Sequence, residues 1–373
     1  MTDLAEQRNV SRVATPSGLL FALVFTLVLI EFFSFVATKA GLLLFNETPW
    51  YTTERYVGLN WRTDDQPWGA WHAPNATDRH VTECFDVTYQ SNNVGARDTR
   101  DYSEFESPES IVLLGDSFAE GYGVNIEDSF AKRVERQSGR PVLNFGTAGY
   151  VGPVQQVMIY EDLASLFPHS EVIYLFLPEN DFVDNAPDQM PAFGNRYRPY
   201  YKFAGGSYAV VYPENAVQGA PYPGSAGDTR LANMIESVVA GYTYTFNTLK
   251  TLKYVVQGSG DDTSRGYFTD DAERVDAALF FVNRLLSAAT KKKITLIVAP
   301  GMADMQGIAA GRTYTDKAWY TGLKQVAANH GARFVDLAVH TPQADFEKFY
   351  LACDYHWTAA GEAFAAERYF ASP

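Results

Sequence analysis

The stretch Ile111-Val112-Leu113-Leu114-Gly115-Asp116-Ser117 decides the fold. Four consecutive apolar residues run into a Gly-Asp-Ser turn. This reads as a strand buried on both faces that delivers a serine to the start of the next segment. The pattern recurs downstream. A helix is expected over 126–138, closed by Gly139, and a second strand at Val142-Leu143-Asn144-Phe145. A helix over 153–167 begins with Pro153, a favoured place for proline, and precedes an all-apolar strand at 172–177. The alternation resumes with a helix over 271–290, a strand at 294–299, a helix over 315–330 closed by Gly331, a strand at 333–337 and a helix over 359–370. Glycine just past a helix end takes the left-handed conformation that other residues resist. Strands alternating with helices imply an α/β fold, a parallel sheet covered on both faces by right-handed crossovers.

Outside this frame the chain is less regular. Residues 18–45 read GLLFALVFTLVLIEFFSFVATKAGLLLF, with Glu31 and Lys39 the only charges. That is long enough to cross a bilayer as a helix of ~20 residues and too long for the h-region of a cleaved signal. Arg8 and Arg12 precede it, so the short tail 1–17 is expected in the cytoplasm and the bulk of the chain across the membrane, periplasmic or otherwise extracytoplasmic. Glu31 inside the apolar run reads either as one tolerated carboxyl facing a shallow water defect or as a contact with a partner membrane protein. Residues 46–105 are rich in Trp, Tyr, Asn and Asp, with one alternating strand at 85–89, and read as an extension packed on the main domain. Residues 185–270 read as an inserted cap lobe within the domain spanning 106–373. The lobe holds a hairpin around Gly205-Gly206 and a helix over 230–256.

Composition excludes some classes of function. With 30 basic against 44 acidic residues, a net charge of −14, and no Lys/Arg stripe, the chain does not read as a nucleic-acid binder. No CxxC or HExxH spacing points to a metal, and no cofactor is implied. The two cysteines, Cys84 and Cys353, either form one disulfide in an oxidising compartment or remain thiols.

Ligands of parallel α/β sheets bind at the carboxyl ends of the strands. Four groups fall on that edge: Ser117 after the first strand, Gly149 after the second, Asn180-Asp181 after the third, and Asp354-Tyr355-His356 after the fifth. A serine hydroxyl needs a base to act as a nucleophile at neutral pH, and His356 is the candidate. Asp354 is placed to orient that imidazole and stabilise its cation. An oxyanion needs preorganised donors; the candidates are the backbone N–H groups of Ser117 and Gly149 and the side-chain amide of Asn180. His72, His80, His169, His330 and His340 have no comparable context and read as structural or surface residues.

These four blocks resemble the SGNH (GDSL-like) hydrolase superfamily, over roughly residues 85–370 apart from the insertion. The resemblance implies a flavodoxin-like three-layer α/β/α sandwich, a Ser117–His356–Asp354 triad, and an oxyanion hole from Ser117, Gly149 and Asn180. Asp116 would be structural. The chain departs from the family pattern in spacing its last block Asp-x-His rather than Asp-x-x-His, and in having Pro178-Glu179 where Gly-x precedes Asn-Asp. The shorter spacing, with Trp357 following, is similar to a bacterial membrane-anchored or periplasmic branch that includes alginate O-acetyltransferase-like proteins. Arg97 and Asp98 recur in that branch and read as a packing ion pair. The expected function is a membrane-anchored serine acyl esterase or O-acyltransferase acting on an acylated polysaccharide or envelope glycan. A lipase or thioesterase is the second enzymatic option, and a catalytically silent glycan-binding scaffold beside a membrane acyltransferase the non-enzymatic one.

Overall fold

Strand Ile111–Leu114 lies inside a five-stranded parallel sheet, one place from its edge, with no exposed residue along its length. The computed structural model describes residues 15–40, 42, 62–82, 84–191, 196–219, 235, 239, 243–249, 265–352 and 354–371. In chain order the strands are β1 Arg62–Gln66, β2 Gly69–His72, β3 Thr77–Val81, β4 Asp86–Gln90, β5 Ile111–Leu114, β6 Val142–Asn144, β7 Glu171–Phe176, β8 Tyr200–Ala204, β9 Ser207–Val211, β10 Lys293–Val298 and β11 Arg333–Asp336. The helices are α1 Pro16–Lys39, α2 Ser117–Glu120, α3 Phe130–Ser138, α4 Pro153–Asp162, α5 Pro178–Asp181, α6 Ala272–Ala288, α7 Met302–Ala309, α8 Ala318–Asn329, α9 Leu337–His340 and α10 Ala359–Ala371.

The sheet runs β11-β10-β7-β5-β6. Numbered within the sheet by chain order, that is 2-1-3-4-5 read from the β6 edge, the doubly wound order of flavodoxin-like folds. The order of strand addition reverses between β5 and β7, which run parallel, so the crevice outside the carboxyl ends of these two strands is the ligand-binding position of such a sheet. Helices α4, α6 and α8 and helices α3 and α10 form the covering layers, and one continuous core joins them to the sheet. The α/β expectation therefore agrees with the structure. The elements differ from the sequence reading in detail: the 126–138 helix is a 3-10 turn at Ile126–Asp128 followed by α3, which Ser129 caps through its side chain.

The extension builds two antiparallel hairpins, β1–β2 and β3–β4, of which only the β4 region carries a readable alternation. Arg97 and Asp98 do not pair with each other. Arg97, 1% exposed, donates to the carbonyls of Glu120, Gly121 and Val124 and lies over the Tyr89 ring. Asp98 instead takes Lys132, at 2.8 Å, and the Tyr102 hydroxyl. Each buried charge has found a partner in α2 or α3 rather than in its sequence neighbour, so the extension is clamped to these helices.

Helix α1 is long and apolar enough to cross a membrane. Glu31 accepts hydrogen bonds from the backbone of Tyr244 and Thr245, within the insertion. The expected hairpin is β8–β9. The expected 230–256 helix lies mostly outside the described residues, of which 244–249 are helical. Cys84 is disulfide-bonded; Cys353, its expected partner, lies outside the described residues.

Candidate active site

The turn that ends β5 is built for one purpose, to set Ser117 at the first position of α2. Gly115 has φ +150°, and a Cβ there would sit 2.6 Å from Ala119 Cβ and 2.9 Å from the Leu175 carbonyl. Only glycine fits. Its backbone is held on both sides by the buried amide of Gln156, which accepts from the Gly115 N–H at 3.0 Å and donates to its carbonyl at 2.6 Å. Asp116 then caps α2, its Oδ1 accepting from the Phe118 N–H at 2.9 Å.

Ser117 Oγ lies 2.8 Å from His356 Nε2, across 239 residues of chain. That is hydrogen-bond distance and the geometry a general base requires. Asp354 sits on the other side of the imidazole, Oδ1 to Nδ1 3.4 Å, and accepts the shorter contact, 3.1 Å, from the His356 backbone N–H. With a single residue between acid and base, the chain must double back within one step. Tyr355 does so with φ +65°, a left-handed conformation that costs a non-glycine residue ~1–3 kcal/mol. The rings of Tyr122 and Phe118 flank His356 at 4.4 and 5.2 Å, and the imidazole stays partly open to solvent.

Asn180 lies on α5, directly after β7. Its Nδ2 donates to Asp116 Oδ2 at 2.8 Å. A carboxamide has two N–H donors, so one is fixed by Asp116 and the second remains for a ligand. Burial pushes the Asp116 carboxyl above the ordinary range, opposed by the hydrogen bonds from Asn180 and Phe118 and by the nearby His356. Burial likewise raises Glu179, opposed by Arg265 and His356, and lifts Asp184 to about 7.

Gly149, with φ +116°, belongs to the loop after β6. That loop is tied to both ends of the turn that carries Ser117: Thr147 N–H donates to the Gly115 carbonyl at 3.2 Å, and Ala148 N–H donates to Glu120 Oε2. Neither the Ser117 N–H nor the Gly149 N–H donates to a described protein atom. Thus Ser117, His356 and Asp354 meet through direct contacts, Asn180 is joined to the Ser117 turn through Asp116, and Gly149 sits on a loop tied to both ends of that turn.

Sequence reasoning missed the supports. Glu120, fully buried, bridges α2 to the Gly149 loop and has His72 Nε2 at 3.6 Å. His72, read as a structural or surface residue, is buried with Nδ1 2.7 Å from the Gly95 carbonyl, so β2 of the extension backs this loop directly. Arg198, from the start of the insertion, donates to the Tyr150 and Asp184 carbonyls. Ser117-x-x-Glu120 has the form of a capping box, which was the available signal for Glu120, although the carboxylate reaches across to Ala148 instead of back to the helix start. No group of His, Cys, Asp and Glu residues suited to a metal occurs among the described residues.

No family model matches the chain, and no curated protein matches it. Solved structures do. A member of the lipolytic protein G-D-S-L family from Veillonella parvula is 12% identical, with 70% of this chain and 96% of that one covered and a TM-score of 0.37. A lipase/acylhydrolase from Enterococcus faecalis is 13% identical, with 70% and 93% covered and a TM-score of 0.39. A carbohydrate esterase family 2 enzyme with a carbohydrate-binding domain, from Corynascus (Myceliophthora fergusii), is 15% identical, with 73% and 66% covered and a TM-score of 0.37.

Proposed function

We propose that this chain is an SGNH-type serine acyl hydrolase or O-acyltransferase, anchored by α1 in a membrane, with its α/β domain outside the cytoplasm and an acylated glycan as substrate. The observation that carries the reading is the 2.8 Å contact between Ser117 Oγ and His356 Nε2 at the switch point of the sheet. His356 takes the hydroxyl proton as Ser117 Oγ attacks an ester carbonyl. Asp354, 3.4 Å from Nδ1, stabilises the imidazolium that forms. The carbonyl oxygen, now an oxyanion, is received by the Ser117 and Gly149 N–H groups and the second N–H of Asn180. His356 returns its proton to the departing alkoxide, and the acyl group is left on Ser117. Water or a sugar hydroxyl, deprotonated by the same imidazole, then removes it. The chemistry needs no cofactor.

Two tyrosines support a glycan over a lipid ester. Tyr150 follows Gly149 and Tyr355 precedes His356; they are 50% and 52% exposed, and both are held at positive φ. Exposed aromatic faces beside a nucleophile suit the apolar face of a sugar ring. Labelling of the full chain with a serine-reactive fluorophosphonate tests the reading: the native protein labels and Ser117→Ala does not. Folded native protein that stays unlabelled would leave a glycan-binding scaffold as the better account.

A further inference from the structure

The outer third of α1 is not all exposed to its surroundings. Most of the helix is bare, Phe21 being 71% and Phe33 64% exposed, yet Ser34 and Thr38 are buried and Glu31 is partly covered. Positions 31, 34 and 38 lie on one face of a helix. Segment 243–249 of the insertion meets this face at Glu31 and Phe35. Phe35 meets Tyr244 edge-on at 5.3 Å, and Tyr244 is fully buried.

The start of the 244–249 helix presents backbone N–H groups that its own turns cannot satisfy. Each has a partner inside the protein. Thr243 N–H donates to the Val239 carbonyl at 3.0 Å, and Phe246 N–H to Thr243 Oγ1 at 3.4 Å. Tyr244 N–H donates to Glu31 Oε1 at 2.7 Å and Thr245 N–H to Glu31 Oε2 at 2.9 Å, joined by the Thr245 hydroxyl at 2.7 Å. Water would satisfy these groups on a soluble surface; hydrocarbon would not, and irregular backbone at membrane depth is tolerated only where protein supplies the partners. Glu31 lies eight residues before the end of α1, ~12 Å along the axis at 1.5 Å per residue, inside the apolar layer of a bilayer. The residues from Ser237 to Leu249 carry no charge, Lys250 and Lys253 follow, and Leu249 is 61% exposed.

We infer that segment 243–249 enters the outer leaflet of the membrane and docks there on α1, with the Glu31 carboxylate as its internal cap. The partner surface is lipid acyl chain. This rests on the reading of α1 as a membrane anchor. Insertion and anchor then grip the bilayer together, and the catalytic domain is held at a fixed height above it.

The full chain in phosphatidylcholine nanodiscs, with its disulfide intact, is labelled at a single added cysteine with an environment-sensitive fluorophore. The sites are Leu249→Cys, Leu23→Cys on α1, and Phe203→Cys on the β8–β9 hairpin. The Leu249 probe is expected to be blue-shifted and quenched by acyl-brominated lipid, as at Leu23, and shielded from aqueous iodide, which quenches at Phe203. Adding Glu31→Leu is expected to abolish lipid quenching at Leu249 and leave Leu23 unchanged, with Ser117 still labelled by fluorophosphonate to show that the domain is folded. Iodide quenching at Leu249 with lipid quenching at Leu23 overturns the inference and spares the anchor. Iodide quenching at Leu23 overturns both.

Discussion

Asp116 is predicted to act only through Asn180, and a double-mutant cycle separates that from a general packing role. Asp116 Oδ2 holds one N–H of Asn180 and Oδ1 holds the Phe118 N–H. In Asp116→Asn one acceptor becomes an NH2 group. If the amide keeps its oxygen on Phe118, its NH2 confronts that of Asn180, and the Asn180 carboxamide must turn away. The second N–H is then lost to the oxyanion. Removing one such donor costs ~10²–10³ in kcat, or ~2.7–4 kcal/mol, and Asp116→Asn is expected to fall in that range with KM little changed. Asn180→Ala removes the donor outright and is expected to lose as much. The decisive quantity is the double variant. Because both changes remove the same interaction, Asp116→Asn/Asn180→Ala should be no slower than Asn180→Ala alone, a coupling energy as large as the single effect. Steady-state hydrolysis of p-nitrophenyl acetate gives kcat for all four proteins. Losses that simply add would refute the reasoning, since Asp116 would then act independently of Asn180.

Glu120→Gln is expected to lower kcat by ~10-fold or more with little change in thermal stability, because a charge-assisted acceptor is roughly twice as strong as a neutral one and this one fixes the Gly149 loop through Ala148; the same ester assay checks it, and unchanged kcat would release the loop from this control. Arg97→Ala strands three buried carbonyls and is expected to destabilise the domain by ~3–5 kcal/mol, read as a loss of several degrees in Tm. Burial pushes Glu362 up to about 8 from an ordinary 4.5, so the folded state binds its proton more tightly than the unfolded state does. The stability this confers is complete below pH 4.5 and is lost as pH rises through about 8, at most ~5 kcal/mol across that window. Urea unfolding from pH 5 to 8.5 should therefore show a slope that Glu362→Gln flattens, while an equal slope in both proteins would mean that Glu362 is not protonated in the fold.

The parallel sheet was legible because its strands are apolar on both faces and each is followed by a helix with a clear stop, as at Gly139 and Gly331. The Gly-Asp-Ser turn was legible for a related reason. Gly115 is the one residue that the space between Ala119 and Leu175 admits, and its neighbours Asp116 and Ser117 have local roles as cap and first helical residue. What depends on distant chain was not legible. His72 has no local signature of burial, and the capping-box form around Glu120 points to the helix start rather than to Ala148, since the environment of both residues is made by a loop that returns from β6. The β1–β2 hairpin was hidden because its residues are largely polar and its partner surface is the α/β domain. Glu31 looked anomalous in an apolar run for the same reason: the backbone that it caps lies more than 200 residues away.

The backing of the Gly149 loop by β2 sets where the chain can be shortened. A Cβ on Gly149 would touch Ala70, and Gln155, at the start of α4, donates to the Trp68 carbonyl. Cutting at residue 106, where the α/β repeat begins, would discard both contacts together with His72 and the Arg97 clamp. A shortened chain that keeps the proposed site intact has to begin ahead of β1, so the boundary of the unit that supports the site lies some forty residues upstream of the boundary of the α/β repeat.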